Sequence, residues 1–248
     1  MKENENIYDK ISELFGGFQG TLNILEDEID IDVQMNYFDL SRKYKKEVMP
    51  KLKLEDPDRL FSTDASFEEK KELLIQLASL DTVEAYRKIE KFHRDAPEGL
   101  KNWATLALKE SKMLMESKLL DENQVYISTG LGGKGDKLRY FVVLLGNNVN
   151  EFSDLQKKII KNEFKFSLKK YNSEAEEFNF SESVATVLAV VPLESPVKAV
   201  FEEAILECNN YGNFIKENFV ITNVKKLSFD EINDYLKKIE EDDMELDI

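Results

Sequence analysis

The segment Thr129-Gly-Leu-Gly-Gly-Lys-Gly-Asp-Lys137 has the residue types best suited to binding an anion. Its four glycines can expose backbone N–H groups, and nearby lysines and an arginine add positive charge. A nucleotide-binding loop would lead into a helix, whereas a strand is predicted to follow here. Two interpretations stay open, namely a mobile hairpin loop, or a loop for an anionic ligand or substrate. The second would use Thr129, Gly130, Gly132, Gly133, Lys134, Lys137 and Arg139.

Metal and covalent chemistry have little support in the sequence. His93 is the only histidine, which excludes sites that need two, and it lies near a predicted helix end that favours an imidazolium. Cys208 falls on an apolar stripe and is expected to be a buried hydrophobe. The acidic run at 26 to 32 lacks the glycine and the trailing glutamate of a calcium loop. We predict no metal site and no cofactor, and an enzymatic role is not favoured.

Residues 66 to 120 carry signals for three helices. Two pairs have the spacing of capping boxes, and Pro97 suits the first turn of a third helix. The pairs are Ser66 with Glu69 and Asp81 with Glu84. Trp103 lies on the apolar stripe of the third helix, so we predict that it is buried.

The stretch from 66 to 111 resembles the paired helices of HEAT-type repeats, with a leucine-rich first helix, a short turn, a second helix and a third that starts at a proline. The resemblance covers about 50 residues. Further helical pieces are indicated around 7 to 15 and 35 to 48. We therefore predict a helical, HEAT-like segment over residues 1–121.

The pattern changes to β-strands after residue 122. Strands are predicted at 124–129, 138–146, 178–181, 184–193 and 219–224, and helices at 153–171, 196–210 and after Ser228. The first two strands resemble a hairpin around the glycine-rich segment. From residue 138 the order is β-α-β-β-α-β, which resembles the ferredoxin-like fold, with another open α/β sandwich as the alternative. The predicted class is α+β, with a ferredoxin-like domain at 122–240 and a disordered acidic tail at 241–248.

The predicted helix 153–171 has two apolar sides. Ile160, Phe164, Leu168 and Tyr171 lie nearly opposite a second apolar set that includes Phe166, with lysines between them. A ferredoxin-like helix meets its sheet on one side only. We therefore expect Ile160, Phe164, Leu168 and Tyr171 to form an interface with the helical segment or with a second chain.

The charge of the chain limits its partners. The 49 Asp and Glu outnumber the 34 Lys and Arg, giving a net charge of −15. Such a field repels phosphate backbones and anionic lipid, so nucleic acid and membrane are disfavoured as partners. We see neither a signal peptide nor a membrane span, and one cysteine is compatible with a cytoplasmic location. A protein-interaction or scaffold module, with self-association or a protein partner, is the leading hypothesis. An anionic-ligand or regulatory domain and an enzyme of unknown class are the alternatives.

Overall fold

The computed structural model describes residues 20–47, 56–121 and 123–246, and it is a mixture of helix and sheet. The described residues divide into two compact units. The first, here called the helical unit, comprises 20–25 and 29–128. The second, here called the sheet unit, comprises 26–28 and 129–246. The predicted helical piece at 7 to 15 lies outside the described residues.

The helical unit contains four α-helices among its described residues, together with a short two-stranded sheet. Its elements are β1 (Gly20–Ile24), α1 (Ile31–Glu47), a 3-10 helix (Pro57–Phe61), α2 (Phe67–Ala78), α3 (Val83–Arg94), α4 (Glu98–Leu120) and β2 (Asn123–Ile127). Strands β1 and β2 pair in parallel. Helices α2, α3 and α4 pack against one another in sequence order, joined by short connections.

Local side-chain caps set the starts of these helices. The Ser66 side chain accepts a hydrogen bond from the Glu69 N–H, as the predicted cap requires. The predicted cap at Asp81 is wrong, because Thr82 takes the extended conformation and accepts from the Ala85 N–H instead. Asp81 forms an ion pair with Lys118.

Trp103 anchors the core of the helical unit. Its side chain is only 5% exposed, which confirms the predicted burial. The Tyr37 ring packs edge to face against it, with 5.3 Å between ring centroids. The ammonium of Lys71 lies over the indole ring, 5.1 Å from its centroid. Helix α1 is thereby joined to α2 and α4 through one aromatic side chain.

The sheet unit is built on one antiparallel sheet. Its elements are β3 (Gly133–Lys134), β4 (Lys137–Leu145), α5 (Asp154–Lys170), β5 (Glu174–Ser181), β6 (Val184–Pro192), α6 (Val197–Asn209), β7 (Val220–Thr222) and α7 (Phe229–Leu246). The strands lie in the order β7-β4-β6-β5, and β3 pairs with the first residues of β4. The antiparallel sheet predicted after residue 138 is confirmed.

The hairpin predicted between 124–129 and 138–146 is wrong. Strand β2 pairs with β1, a hundred residues earlier in the chain, and belongs to the helical unit. The strand that forms a hairpin with β4 is the two-residue β3, through the pairs Gly133 with Leu138 and Lys134 with Lys137. Gly135, with φ +63°, begins the two-residue turn between them.

Helices α5 and α6 pack side by side on one face of this sheet. The Phe164 ring of α5 packs against Phe178 of β5, which lies in the same cross-strand row as Val142 of β4. Phe201 of α6 packs against Phe219, just before β7. Strand alternation places Phe219 on the Val142 face, since Val220 pairs with the next residue of β4. Both helices therefore lie on the same face, as the predicted β-α-β-β-α-β order requires.

Helix α7 covers the opposite face of the sheet. Ile232 is buried among Phe141, Val143, Leu188 and Leu131. Leu227, Phe229 and Leu236 pack against the same cluster. The spacing of Ser228 and Glu231 predicted the start of this helix but not its place on the sheet.

The acidic tail expected to be disordered at 241–248 is helical as far as the structure describes it. Helix α7 continues to Leu246, and residues 247 and 248 lie outside the described residues. Among the helices described, none combines the length and apolar character needed to cross a membrane.

We predict that Trp103→Ala lowers the free energy of unfolding by about 3 to 5 kcal/mol, because it removes a large buried aromatic side chain. Urea unfolding followed by circular dichroism measures the change. The matched control is Leu119→Ala on the same helix, where the side chain is 82% exposed and the expected change is under about 0.5 kcal/mol. Equal losses in the two variants would contradict the role of Trp103 in the core.

Candidate functional site

The glycine-rich segment 129–137 forms a closed loop in the sheet unit. The Gly132 N–H donates to the Thr129 carbonyl at 3.2 Å, and the Thr129 hydroxyl donates to the Gly132 carbonyl at 3.2 Å. The Leu131 N–H donates to the Asn223 carbonyl at 3.1 Å. Residues 129 to 133 are buried. This half of the loop is therefore part of the unit's interior.

Residues 26–28 lie over the loop and use its donors. The Glu26 carbonyl accepts from the Gly133 N–H at 3.3 Å and from Nη1 of Arg139 at 3.1 Å. The Glu26 carboxylate accepts from the Gly135 N–H at 2.7 Å. The Gly133 and Gly135 N–H groups and one arm of Arg139 are therefore used by Glu26 of the same chain.

The close approach of this segment depends on Gly132. Its φ is +66°, and a Cβ atom there would lie 2.6 Å from the Asp27 carbonyl oxygen and still closer to that of Glu26. Gly135 also has a positive φ, of +63°, yet a Cβ atom there would meet open space. Glycine is thus required at position 132 by both its close neighbours and its backbone conformation, and at position 135 by its conformation alone.

The three cationic side chains assigned to the loop site all have partners within the sheet unit. Arg139 forms a two-pronged ion pair with Glu176, at 2.6 Å and 3.3 Å. Lys134 is 3.4 Å from Glu174. Lys137 donates to the carbonyl and to the side-chain oxygen of Asn172.

The structure brings Lys137 together with two lysines of α5. Lys137, Lys165 and Lys169 line a surface depression of about 450 Å³, together with Asn172, Ser173, Glu174 and Ala175. Sequence spacing places Lys137 in the loop and the other two lysines between the apolar sides of the predicted helix 153–171, and nothing in it connects them. Their proximity comes from the packing of α5 against the sheet and has no signal in sequence spacing.

The residues expected at an interface are placed differently from the prediction. Ile160, Phe164 and Leu168 are fully buried inside the sheet unit, against β5 and α6. The Tyr171 hydroxyl donates to Glu203 of α6. Assigning this side of α5 to an external partner is wrong, because two apolar sides of a helix do not reveal which one meets the sheet. The opposite side, with Leu155 and Phe166, is the exposed one.

His93 and Cys208 have structural surroundings. The His93 Nε2 lies 3.0 Å from the Thr105 hydroxyl, and Lys101 donates to the His93 carbonyl at 2.5 Å. Burial raises the pKa of the Cys208 thiol to about 12, with Glu163 and Glu207 adding to the shift. The thiol is therefore protonated near neutral pH. No group of three metal-binding side chains occurs within the described ranges.

The helical unit contains a buried carboxylate network that no sequence motif predicted. Glu110 of α4 accepts from the Tyr37 hydroxyl at 2.5 Å, from the Ser41 hydroxyl at 2.7 Å and from Lys45 at 2.6 Å. The three donors are spaced four residues apart and form one stripe on α1. Glu110 stands three residues after Ala107, beside the apolar stripe of α4. The signal available in the sequence was a charged residue beside the apolar stripe of one helix, together with hydrogen-bond donors at four-residue spacing on another.

No protein-family model matches this chain, and no curated protein is significantly similar to it in sequence. The assignment of function therefore depends on the physical properties of the described surfaces.

We predict that Gly132→Ala destabilises the sheet unit more than Gly135→Ala does. The two positions share the strained positive φ, which costs about 1 to 2 kcal/mol for a residue with a Cβ atom. Gly132→Ala also forces residues 26–28 away from the loop, adding about 1 to 3 kcal/mol as in other overpacked sites. Thermal unfolding of the two variants measures the difference, and equal destabilisation would refute the close approach of residues 26–28.

We also predict that Tyr37→Phe lowers the free energy of unfolding of the helical unit by about 1 to 3 kcal/mol, because a buried carboxylate loses a donor. Fluorescence of Trp103, the single tryptophan, reports unfolding of this unit. The control is Tyr44→Phe on the same helix, where no hydrogen bond of the hydroxyl is found within the described residues and the expected change is under about 0.5 kcal/mol.

The pH dependence of the stability difference between wild type and Tyr37→Phe gives a further test. Burial, and then the charge and hydrogen bond of Glu110, raise the pKa of Tyr37 well above its usual value. The unfolded chain therefore ionises this tyrosine first, and its contribution to stability is complete below about pH 10 and falls as the pH rises further. The difference between wild type and Tyr37→Phe should shrink above that pH. A difference independent of pH would contradict the buried, neutral phenol.

Proposed function

We propose that this protein is a protein-interaction module that self-associates through its sheet unit. The strand order β7-β4-β6-β5 with two helices on one face supports assigning this unit to the ferredoxin-like fold. The successive packing of α2, α3 and α4 supports the HEAT-like assignment for the helical unit. Neither fold specifies a function, so the proposal depends on one surface.

The observation that carries the proposal is the outward surface of α5 and α6, here called the helix layer. Leu155 and Phe166 of α5 are 68% and 63% exposed, and Leu206 of α6 is 65% exposed. Leu155 and Phe166 are eleven residues apart, which places them about 20° apart around the helix and about 16 Å apart along it. Large apolar side chains grouped on one outward surface favour a protein contact.

The two halves of the helix layer carry opposite charge. Lys158, Lys165 and Lys169 are exposed on α5. On α6, Leu206 borders a depression of about 650 Å³ whose lining includes three glutamates and no lysine or arginine. The lining is Glu202, Glu203, Ile205, Leu206, Asn209, Asn210, Asn213, Glu217 and Asn218. The surface is therefore basic and aromatic on one helix, and acidic and apolar on the next.

A second copy of the same chain is the partner that fits this surface. In a two-fold symmetric dimer each patch contacts the same patch of its partner, so a self-complementary surface is required. A rotation that sets α5 of one copy on α6 of the other places Phe166 at the Leu206 depression and pairs lysines with glutamates. Both contacts then occur twice. An acidic segment of another protein would satisfy only the basic half.

Ion pairs within the unit hold the two helices in a fixed relation. Lys170 of α5 is 2.7 Å from Glu203 and 3.7 Å from Glu207 of α6. Its ammonium also lies 5.2 Å from the Phe166 ring centroid. A surface fixed in this way loses less conformational freedom on association, which favours binding.

We predict that the full chain forms a concentration-dependent dimer and that Phe166→Asp weakens it by about a hundredfold or more, as expected for a central aromatic contact. Sedimentation velocity across a wide concentration range measures the equilibrium. The matched control is Tyr235→Asp, an exposed aromatic on α7, which should leave the dimer unchanged. A chain that is monomeric throughout, or a dimer insensitive to Phe166→Asp, overturns the proposal.

A charge-reversal pair identifies the symmetry of the contact. Lys158→Glu and Glu202→Lys should each weaken the homodimer, because each places like charges across the interface. Mixing the two variants should restore association. In the mixed dimer, one contact pairs the unchanged Lys158 with the unchanged Glu202, and in the other contact the two charges have changed places. Failure of the mixture to associate more tightly than either variant alone would refute the pairing of α5 with α6.

A further inference from the structure

We infer that the depression lined by Lys137, Lys165 and Lys169 binds a phosphate-class dianion. The lysines come from separate parts of the sheet unit, since Lys137 begins β4 and the other two stand one turn apart on α5. The end of α5 and the start of β5 complete the lining. This inference does not depend on self-association, because a different observation carries it.

The charges around the depression are unbalanced. Three lysines line it against one carboxylate, Glu174, which also lies 3.4 Å from Lys134. Within the ranges that the structure describes, neither Lys165 nor Lys169 forms an ion pair, and Lys137 is bonded only to neutral oxygens of Asn172. In a chain of net charge −15, a concave group of cations without carboxylate partners is unusual. A bound anion would relieve their repulsion.

Stabilisation of the end of α5 does not account for these lysines. The Ser173 N–H donates to the Leu168 carbonyl at 2.9 Å, and the Asn172 N–H donates to the Lys169 carbonyl at 3.2 Å. Asn172 has a φ of +52°, so the helix ends in a backbone motif that satisfies its last carbonyls. The lysine side chains are thus not needed as caps. Lys165 also stands more than one turn before the helix end, where the helix dipole has little effect.

The chemistry of lysine selects the ligand class. An ammonium is a compact point charge with three donors, so a group of them suits the tetrahedral oxygens of phosphate and does not require planar geometry. A dianion gains more than a carboxylate from several cations at once. The depression, at about 450 Å³, is larger than one phosphate group. The phosphate can therefore belong to a small phosphorylated molecule or to a phosphorylated side chain of a partner.

Isothermal titration of the full chain in phosphate-free buffer tests this site. The probes are inorganic phosphate, pyrophosphate and a short phosphoserine peptide, with the unphosphorylated peptide as the negative control. We expect saturable binding of the phosphorylated probes that weakens as salt is added. A phosphopeptide that binds about tenfold more tightly than inorganic phosphate assigns the site to a modified protein partner, and similar affinities assign it to small phosphorylated molecules.

Variants separate the site from general electrostatics. The double variant Lys165→Ala with Lys169→Ala should lose about tenfold or more in affinity. The double variant Lys237→Ala with Lys238→Ala makes the same change in net charge at exposed lysines of α7, outside both the depression and the helix layer, and should retain binding. Circular dichroism confirms that both are folded. Repeating the titration with Phe166→Asp shows whether binding persists without the dimer. No binding of any phosphorylated probe, or equal affinities in the two double variants, overturns the inference.

Discussion

Many of the hydrogen bonds around the glycine-rich loop of the sheet unit depend on the close approach of residues 26–28 to Gly132. Because Gly132 has no Cβ atom and a positive φ, the carbonyls of Glu26 and Asp27 can lie against it. Arg139 then bridges the Glu26 carbonyl and Glu176, joining this segment to the edge strand β5. The same contacts use the N–H groups of Gly133 and Gly135. The N–H groups of a glycine-rich loop are thus used by a glutamate of the same chain, and the proposed site for an external anion is formed instead by Lys137, Lys165 and Lys169.

Coverage of the sheet on both faces determines which surface can meet a partner. Helices α5 and α6 bury one face, and α7 buries the other through Ile232 and its neighbours. Both faces of the sheet are thus covered by helices, and three large exposed apolar side chains lie on the outward sides of α5 and α6. Leu155, Phe166 and Leu206 lie there, next to charges of opposite sign on the two helices. Exposed apolar side chains alone would fit many partners. The opposite charges of the two helices are what favours a second copy of the same chain.

Periodicity and capping predicted the parts of this structure that depend on local interactions. Ser66 caps a helix where the spacing indicated, the helices predicted from residue 153 and after Ser228 are present, and the elements after residue 138 follow one another along the chain in the predicted order. The pairing of β2 with β1 could not be predicted. The two strands lie about a hundred residues apart in the chain, and the residue pattern of a strand does not identify its partner. The prediction of which side of α5 would be buried was wrong for a similar reason. Both of its sides are apolar, so only tertiary packing decides that Phe164 is buried and Phe166 is exposed. Glu110 and the lysine depression also depend on contacts between distant segments.

The two proposed activities of the sheet unit share one helix, and this has a thermodynamic consequence. Lys165 and Lys169 line the depression and also contribute to the basic half of the helix layer. A dianion bound there would cancel much of the positive charge that faces the acidic half of a second copy. Association would then weaken, and by linkage self-association would weaken anion binding by the same factor. The net charge of −15 strengthens this coupling, because two copies repel each other at long range unless a local basic surface offsets the repulsion. The small number of unpaired lysines on α5 would thus determine both whether two chains meet and whether a phosphate keeps them apart.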